Sequence, residues 1–217
     1  MKLKVCGMKY LENIKSIAAL QPDYMGFIFY EKSERYFKNI IPMLPKRIKK
    51  TGVFVDEYLE IVISLVEEYQ LEAIQLHGSE SVDYIQKLKQ FLEDRDVFQQ
   101  TQSTIEIIKV FSIKNTINFR ILEPFLNKVD YFLFDTEGRK RGGNGGQFDW
   151  SILKNYPFKK PFFLSGGIAL DDVRQIKKIQ NVRLPIHAVD INSKFEIKPG
   201  LKSVKKVEKF INGLAVG

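Results

Sequence analysis

"KVCGM", residues 4–8, closes the first apolar segment of the chain, and the residues directly after that segment separate two folds built from the same alternation of strands and helices. An open, doubly wound sheet usually carries G-x-G-x-x-G directly after its first strand, where the glycines let the backbone approach a pyrophosphate. Cys6-Gly7-Met8 stands there instead. Along the rest of the chain, short apolar segments recur at Leu3–Cys6, Tyr24–Phe29, Thr51–Val55, Ala73–Leu76, Ile107–Phe111, Tyr131–Phe134, Pro161–Leu164 and Ile186–Val189. They are apolar on both faces, as strands buried inside a parallel sheet are.

Between them lie amphipathic patterns. Tyr58, Ile61, Val62, Leu65, Val66 and Tyr69 form one stripe at helical period, with Glu57, Glu60 and Glu67 opposite. A further helix is expected from near Ser81, with Val82, Ile85 and Leu88 turned inward, and a last one carries Val204, Val207, Ile211 and Leu214. Pro42 and Pro45 limit any helix over 38–48, and the polar stretch 93–105 reads as loop. Eight strands, each followed by a helical or loop segment, predict an α/β fold: a single-domain (β/α)8 TIM barrel over residues 1–217, near the lower length limit of about 200 residues for that architecture.

The bulk numbers narrow the function. Hydrophobic residues at 44% and charged residues at 28% are the balance of a folded globular chain. One cysteine forms no internal disulfide, no apolar run approaches the roughly 20 residues of a membrane span, and Met1-Lys2-Leu3-Lys4 lacks the apolar core of a signal peptide; a cytoplasmic protein is expected. The net charge of +8 suits an anionic partner. Lys46-Arg47-Ile48-Lys49-Lys50 and the lysines of 198–209 are interrupted by apolar residues at helical spacing, so they read as solvated helix faces, and no nucleic-acid or membrane partner is expected. With only His77 and His187, a multi-histidine metal site is hard to assemble, and no metal is expected.

In such a barrel the reactive groups sit at the carboxyl ends of the strands. Those positions hold Cys6, the Ser33-Glu34-Arg35 loop, Asp56, Gln75 with His77, Asp135, Ser165-Gly166-Gly167 and Asp190-Ile191-Asn192-Ser193. Strand alternation puts Lys4 and Cys6 on one side, and a lysine avoids the apolar helix layer, so both face the interior. A neighbouring ammonium would draw the thiol from about 8.5 toward neutrality; the competing reading is a small apolar side chain filling a strand. Tyr131, Leu133 and Asp135 likewise share one side, and the loop after them, "TEGRKRGGNGGQFDW" over 136–150, has the backbone freedom of a lid, with Asp149 as the cap of the next segment. Gly166-Gly167 and the polar run Asn192-Ser193-Lys194 come after strands seven and eight, the usual phosphate cradle. Arg35 offers a planar fork suited to a carboxylate, or is a loop arginine with no role.

Lys4-Val5-Cys6-Gly7, "GFIFYEKSERY" (26–36), "GVFVDE" (52–57), "IQLHG" (74–78), "FDT" (134–136), "GGNGGQFDW" (142–150), "LSGGI" (164–168) and "VDINSKFEIKPGLK" (189–202), in this order and spacing, resemble the phosphoribosylanthranilate isomerase family of tryptophan biosynthesis along the whole chain. The resemblance implies a cofactor-free Amadori rearrangement of N-(5-phosphoribosyl)anthranilate to 1-(2-carboxyphenylamino)-1-deoxyribulose 5-phosphate. It makes Cys6 the general base and Asp135 the general acid, sets Arg35 against the anthranilate carboxylate, gives phosphate to Gly166, Gly167 and the backbone around Asn192 and Ser193, and places Asp190 in the same substrate-binding set. The partner is then a small phosphorylated substrate, on a monomer or homodimer. The sequence departs from the family at Asn192-Ser193-Lys194, where S-S-G is usual, at Asp172, where Asn is common, and at Asn144 in the lid. Other phosphate-binding barrels (a sugar-phosphate epimerase, an indole-glycerol-phosphate-synthase-like enzyme) and a noncatalytic basic nucleic-acid-binding module are the alternatives.

Overall fold

The computed structural model describes residues 1–94, 104–114, 116–136, 149–180, 182 and 184–215. Eight parallel strands close into one barrel in sequence order: β1 (Lys2–Val5), β2 (Tyr24–Ile28), β3 (Lys49–Phe54), β4 (Ala73–Leu76), β5 (Glu106–Ile113), β6 (Tyr131–Thr136), β7 (Phe162–Leu164) and β8 (Ile186–Ile191). The ring is closed by β1 lying along β8, with Lys2 beside Ala188 and Lys4 beside Asp190. Around it run α1 (Leu11–Ala19), α2 (Leu59–Tyr69), α3 (Val82–Asp94), α4 (Val173–Gln180) and α5 (Val204–Ala215). Short 3-10 segments, Phe119–Phe125 and Trp150–Asn155, stand after β5 and β6. No helix forms between β2 and β3, where Pro42 and Pro45 deny the backbone its donors. Among the described residues no helix is long and apolar enough to cross a membrane.

Strand alternation divides the core in two. Leu3, Val5, Phe27, Phe54, Ile74, Leu76, Phe132, Phe134 and Leu164 point outward and pack against the helices. Tyr24, Ala73, Ile108, Val110, Leu133, Phe163 and Ala188 fill the barrel, with Cys6, Ile28 and Val53 above them near the mouth. The expected inward stripes of α3 and α5 are found, with Ile85, Leu88 and Val207 buried and Val204, Ile211 and Leu214 packed half-buried against the core; Phe210, outside the expected stripe, is buried beside them. The stripe predicted around α2 is corrected. Tyr58 precedes the helix in extended backbone and is 75% exposed, Ile61 is turned partly outward, and the buried face runs through Val62, Ile63 and Val66. Tyr58 lies before the first helical residue, so helical period does not fix its direction.

At the amino-terminal end of the barrel a polar cluster replaces apolar filling. The Tyr24 hydroxyl donates to Glu106 Oε2 (3.0 Å) and lies 2.9 Å from His187 Nε2. Lys49 pairs with Glu106, and the Tyr131 ring lies against His187 with centroids 4.1 Å apart. Burial, aided by the nearby Lys2 and Lys49 ammonium groups, pulls His187 down to about 4. The unfolded chain, with an ordinary histidine near 6.5, therefore binds a proton before the folded one does, and this contribution to stability is full above about pH 6.5 and is lost as pH falls toward 4. We expect His187→Phe to flatten the decline of Tm between those pH values, read by thermal unfolding of both proteins across the range; parallel declines would contradict the assignment.

Candidate active site

Lys4 and Asp190, neighbours across the β1–β8 seam, both face the interior and pair at 2.9 Å; Lys4 is fully buried and Asp190 nearly so. Burial works against the Lys4 charge, but Asp190 and Cys6 outweigh it and raise its titration above the usual value. For Asp190, burial pushes the carboxyl up and Lys4 opposes. Its Oδ1 is buried with no hydrogen-bond partner among the described residues.

Cys6 follows β1 by one residue. Its N–H still donates to the Ile191 carbonyl (2.9 Å), so it stays in register with the sheet, and its side chain packs with Ile28, Val53 and Tyr30. The inward orientation expected for Lys4 and Cys6 is found. The expected pull of the thiol toward neutrality is not: burial pushes it up, and Lys4 and Lys202 offset this only in part. Desolvation, with Asp190 adding to it, is larger here than the two ammonium groups cancel.

Asp135 is the penultimate residue of β6 and lies on the interior side, as the alternation predicted. Its Oδ1 accepts from the Thr136 N–H (2.8 Å), and its Oδ2 lies 3.4 Å from His77 Nε2. His77 Nδ1 in turn sits 3.3 Å from the amide nitrogen of Gln75, which is buried inside the barrel. His77 thus braces Asp135 from the neighbouring rim. Asp135 and His77 both act electrostatically on Asp190, so the acid from β6 and the thiol after β1 belong to one connected set of charges.

Arg35 is neither exposed nor idle. Its Nε and Nη2 donate to Glu196 Oε1 (2.9 Å) and Oε2 (2.6 Å), a two-pronged pair at a largely buried position. Glu196 Oε1 also accepts from Lys202 Nζ (2.6 Å) and the Gly200 N–H (2.9 Å). Burial works against the Glu196 charge, but Arg35 and Lys202 hold the carboxyl below its usual range. Lys202 Nζ further donates to Asn192 Oδ1 (2.6 Å). Gly7, at φ +72°, lets these groups meet beside Cys6: a Cβ there would lie 2.7 Å from Asn192 Oδ1 and 2.8 Å from Arg35 Cδ. Glu196 and Lys202 were not among the sequence candidates, although both stand within the stretch after strand eight.

Gly166 and Gly167, at φ +91° and +64°, make the turn after β7, and a Cβ on Gly166 would run into Thr136 at the end of β6. Ser193 opens a single 3-10 turn, Ser193–Phe195, that leaves Lys194 exposed. The lid expected over 142–146, with Asn144, lies outside the described residues. Asp149 caps the segment after it, accepting from the Ser151 N–H at 2.9 Å. Asp56 serves the rim instead of the mouth, accepting from the Ser79 N–H. A cavity of ≈ 460 Å³ opens there among Asp56, Glu57, Tyr58, Glu60 and Glu80, but its carboxylates disfavour an anionic ligand and neither Cys6 nor Asp135 lines it.

Comparison with known proteins agrees with this architecture. The model of the N-(5'-phosphoribosyl)anthranilate isomerase family matches residues 3–213. An N-(5'-phosphoribosyl)anthranilate isomerase of Parabacteroides distasonis is 37% identical over 97% of this chain and 92% of its own length. Among solved structures, a phosphoribosyl anthranilate isomerase in complex with reduced 1-(o-carboxyphenylamino)-1-deoxyribulose 5-phosphate is 30% identical with a TM-score of 0.73, covering 99% of this chain and 98% of the other. Monomers of the dimeric phosphoribosylanthranilate isomerase of Thermotoga maritima are 29% identical with a TM-score of 0.72 at the same coverage. A barrel closed in sequence order, with a thiol after its first strand and a carboxylate at the end of its sixth, joins a family match along nearly the whole chain: this protein belongs to the N-(5'-phosphoribosyl)anthranilate isomerase family.

Proposed function

We propose that Cys6 is the general base and Asp135 the general acid of the Amadori rearrangement that defines this family of aldose–ketose isomerases. The observation that carries the reading is their common placement, inside the barrel at the carboxyl ends of the first and sixth strands, with the Lys4–Asp190 pair and His77 linking them. Asp135 protonates the ring oxygen as the C1–O bond of the aminoaldose breaks. The resulting iminium acidifies the C2 hydrogen and the Cys6 thiolate removes it; the enolamine then gains a proton at C1 and releases its O2 hydroxyl proton to give the aminoketose, which restores both groups with no net change in oxidation state. The acid and the base approach the sugar from different staves of one ring, so a single bound pose presents both bonds to them.

Arg35 receives the anthranilate carboxylate in this reading. Glu196 occupies one edge of its fork, and Nη1 is engaged by no described residue. Phosphate is held by the backbone of Gly166, Gly167, Asn192 and Ser193, with the exposed Lys194 adding positive charge where the family usually has glycine. Asp190 offers a sugar hydroxyl its Oδ1, which has no partner among the described residues. The +8 net charge gathers a doubly anionic substrate. Such a charged intermediate is confined by membranes, which supports work in the cytoplasm, and the dimeric Thermotoga maritima relative supports the homodimer over the monomer.

Incubation with phosphoribosylanthranilate, following the loss of its fluorescence, tests the activity directly. Cys6→Ala and Asp135→Asn should each lower kcat by at least about 100-fold, the scale of a lost acid or base; near-parental turnover in either would overturn its role. Arg35→Ala should chiefly raise KM in the same assay, and an unchanged KM would remove Arg35 from the substrate's carboxylate.

A further inference from the structure

We infer that Lys202 is a positioning residue for this reaction: it locks Glu196 against Arg35 and Asn192 against the rim, and its ammonium supplies the surplus positive charge against which Cys6 releases its proton. The inference rests on the reading of Cys6 as the base.

Its geometry is built from both directions. The backbone of Lys202 is clamped by Asn13 of α1, whose Oδ1 accepts from the Lys202 N–H (2.7 Å) and whose Nδ2 donates to the Lys202 carbonyl (2.9 Å). The side chain runs inward, almost wholly buried, and spends two of its three N–H groups on Glu196 and Asn192. Asn192 touches the Gly7 turn that comes after Cys6, and Cys6 is bonded through its N–H to the residue before Asn192. Lys202 therefore reaches the thiol's surroundings through β8 and reaches Arg35 through Glu196.

A buried lysine is an expensive way to fill space. A methionine of similar volume would pack without the desolvation penalty of an ion. What a methionine does not provide is charge. The groups that act on Cys6 and its immediate partners are Lys4 from β1, Arg35 from the loop after β2, Asp190 from β8, Glu196 from β9 (Glu196–Lys198) and Lys202 from β10 (Leu201–Lys202). Asp135 of β6 and His77 after β4 face the same set from across the mouth, acting on Asp190. Three cations stand against two carboxylates next to the thiol, so a thiolate brings that inner group to neutrality. Without Lys202 the count is already balanced, and a thiolate becomes an uncompensated buried anion. Burial pulls Lys202 itself down to about 8, against Glu196 and Cys6, which favour its charged form.

Cys6 is the only cysteine, so the ultraviolet absorption of thiolate against pH, with Cys6→Ser as blank, reads its titration alone. Lys202→Met should raise that titration by about one pH unit or more and shift the acid limb of kcat/KM by the same amount. The double variant Lys202→Met with Glu196→Gln leaves Lys4 and Arg35 against Asp190, one cation in surplus again, and should return both profiles close to the parent. A purely structural lysine predicts the reverse order, with the double variant at least as impaired as the single. An unmoved titration in Lys202→Met, or a double variant displaced further, overturns the inference. Should the single variant not fold, the reciprocal measurement decides: Lys202 Nζ followed by NMR should titrate at lower pH in Cys6→Ser than in the parent, and equal titrations overturn the linkage. Shifts as expected beside a fully active Cys6→Ala would leave the charge linkage standing and remove Cys6 as the base.

Discussion

Closing the barrel brings the first strand against the last, and with them a lysine against an aspartate. Lys4 and Asp190 are buried inside the ring, so each charge depends on the other standing 2.9 Å away. Removing one partner of such a pair typically costs about 3–5 kcal/mol, a large part of the roughly 5–15 kcal/mol that holds a domain folded. The same pair sits beneath Cys6, so the interaction that seals the β1–β8 seam also acts on the thiol to which the proposed chemistry gives the role of base. Fold and chemistry share one contact.

Above that seam, the mouth is organised by partners distant in sequence. Arg35 meets Glu196 across 161 positions, and Lys202 is fixed by Asn13 across 189. Each carboxylate inside the mouth is met by nitrogen donors on defined oxygens, and rigidity of this kind holds a guanidinium fork in one orientation. Thr51 Oγ1 and Gln75 Oε1 inside the barrel, with Asp190 Oδ1, lack hydrogen-bond partners among the described residues. Polar groups left in that condition cost free energy unless water or a ligand satisfies them.

How much of this could be read beforehand depends on which interactions are local. The eight strands were legible because each is a short apolar run, and most of their ends fell within one or two residues of the observed ones. The inward direction of Lys4 and Asp135 came from a period of two. The Tyr58 position failed because a residue before the first helical turn does not obey helical period. The titration of Cys6 failed for a different reason: the sequence displays a neighbouring lysine but not how completely the thiol loses water, and burial won. Glu196 and Lys202 were invisible as members of the site because their significance lies in long-range pairing. His77 was legible only as a polar residue at a strand end, and its contact with Asp135 required the closed ring.

In the proposed chemistry Cys6 takes the C2 proton while Asp135 opens the sugar from across the mouth. The decisive measurement is the single-turnover rate of phosphoribosylanthranilate carrying deuterium at C2, in the parent protein and in Cys6→Ser. Weakening the base must make C–H cleavage limiting, so a slow variant with a large primary isotope effect is expected. A slow variant whose rate is the same with hydrogen and deuterium would place the thiol in some other step and contradict its role as the base.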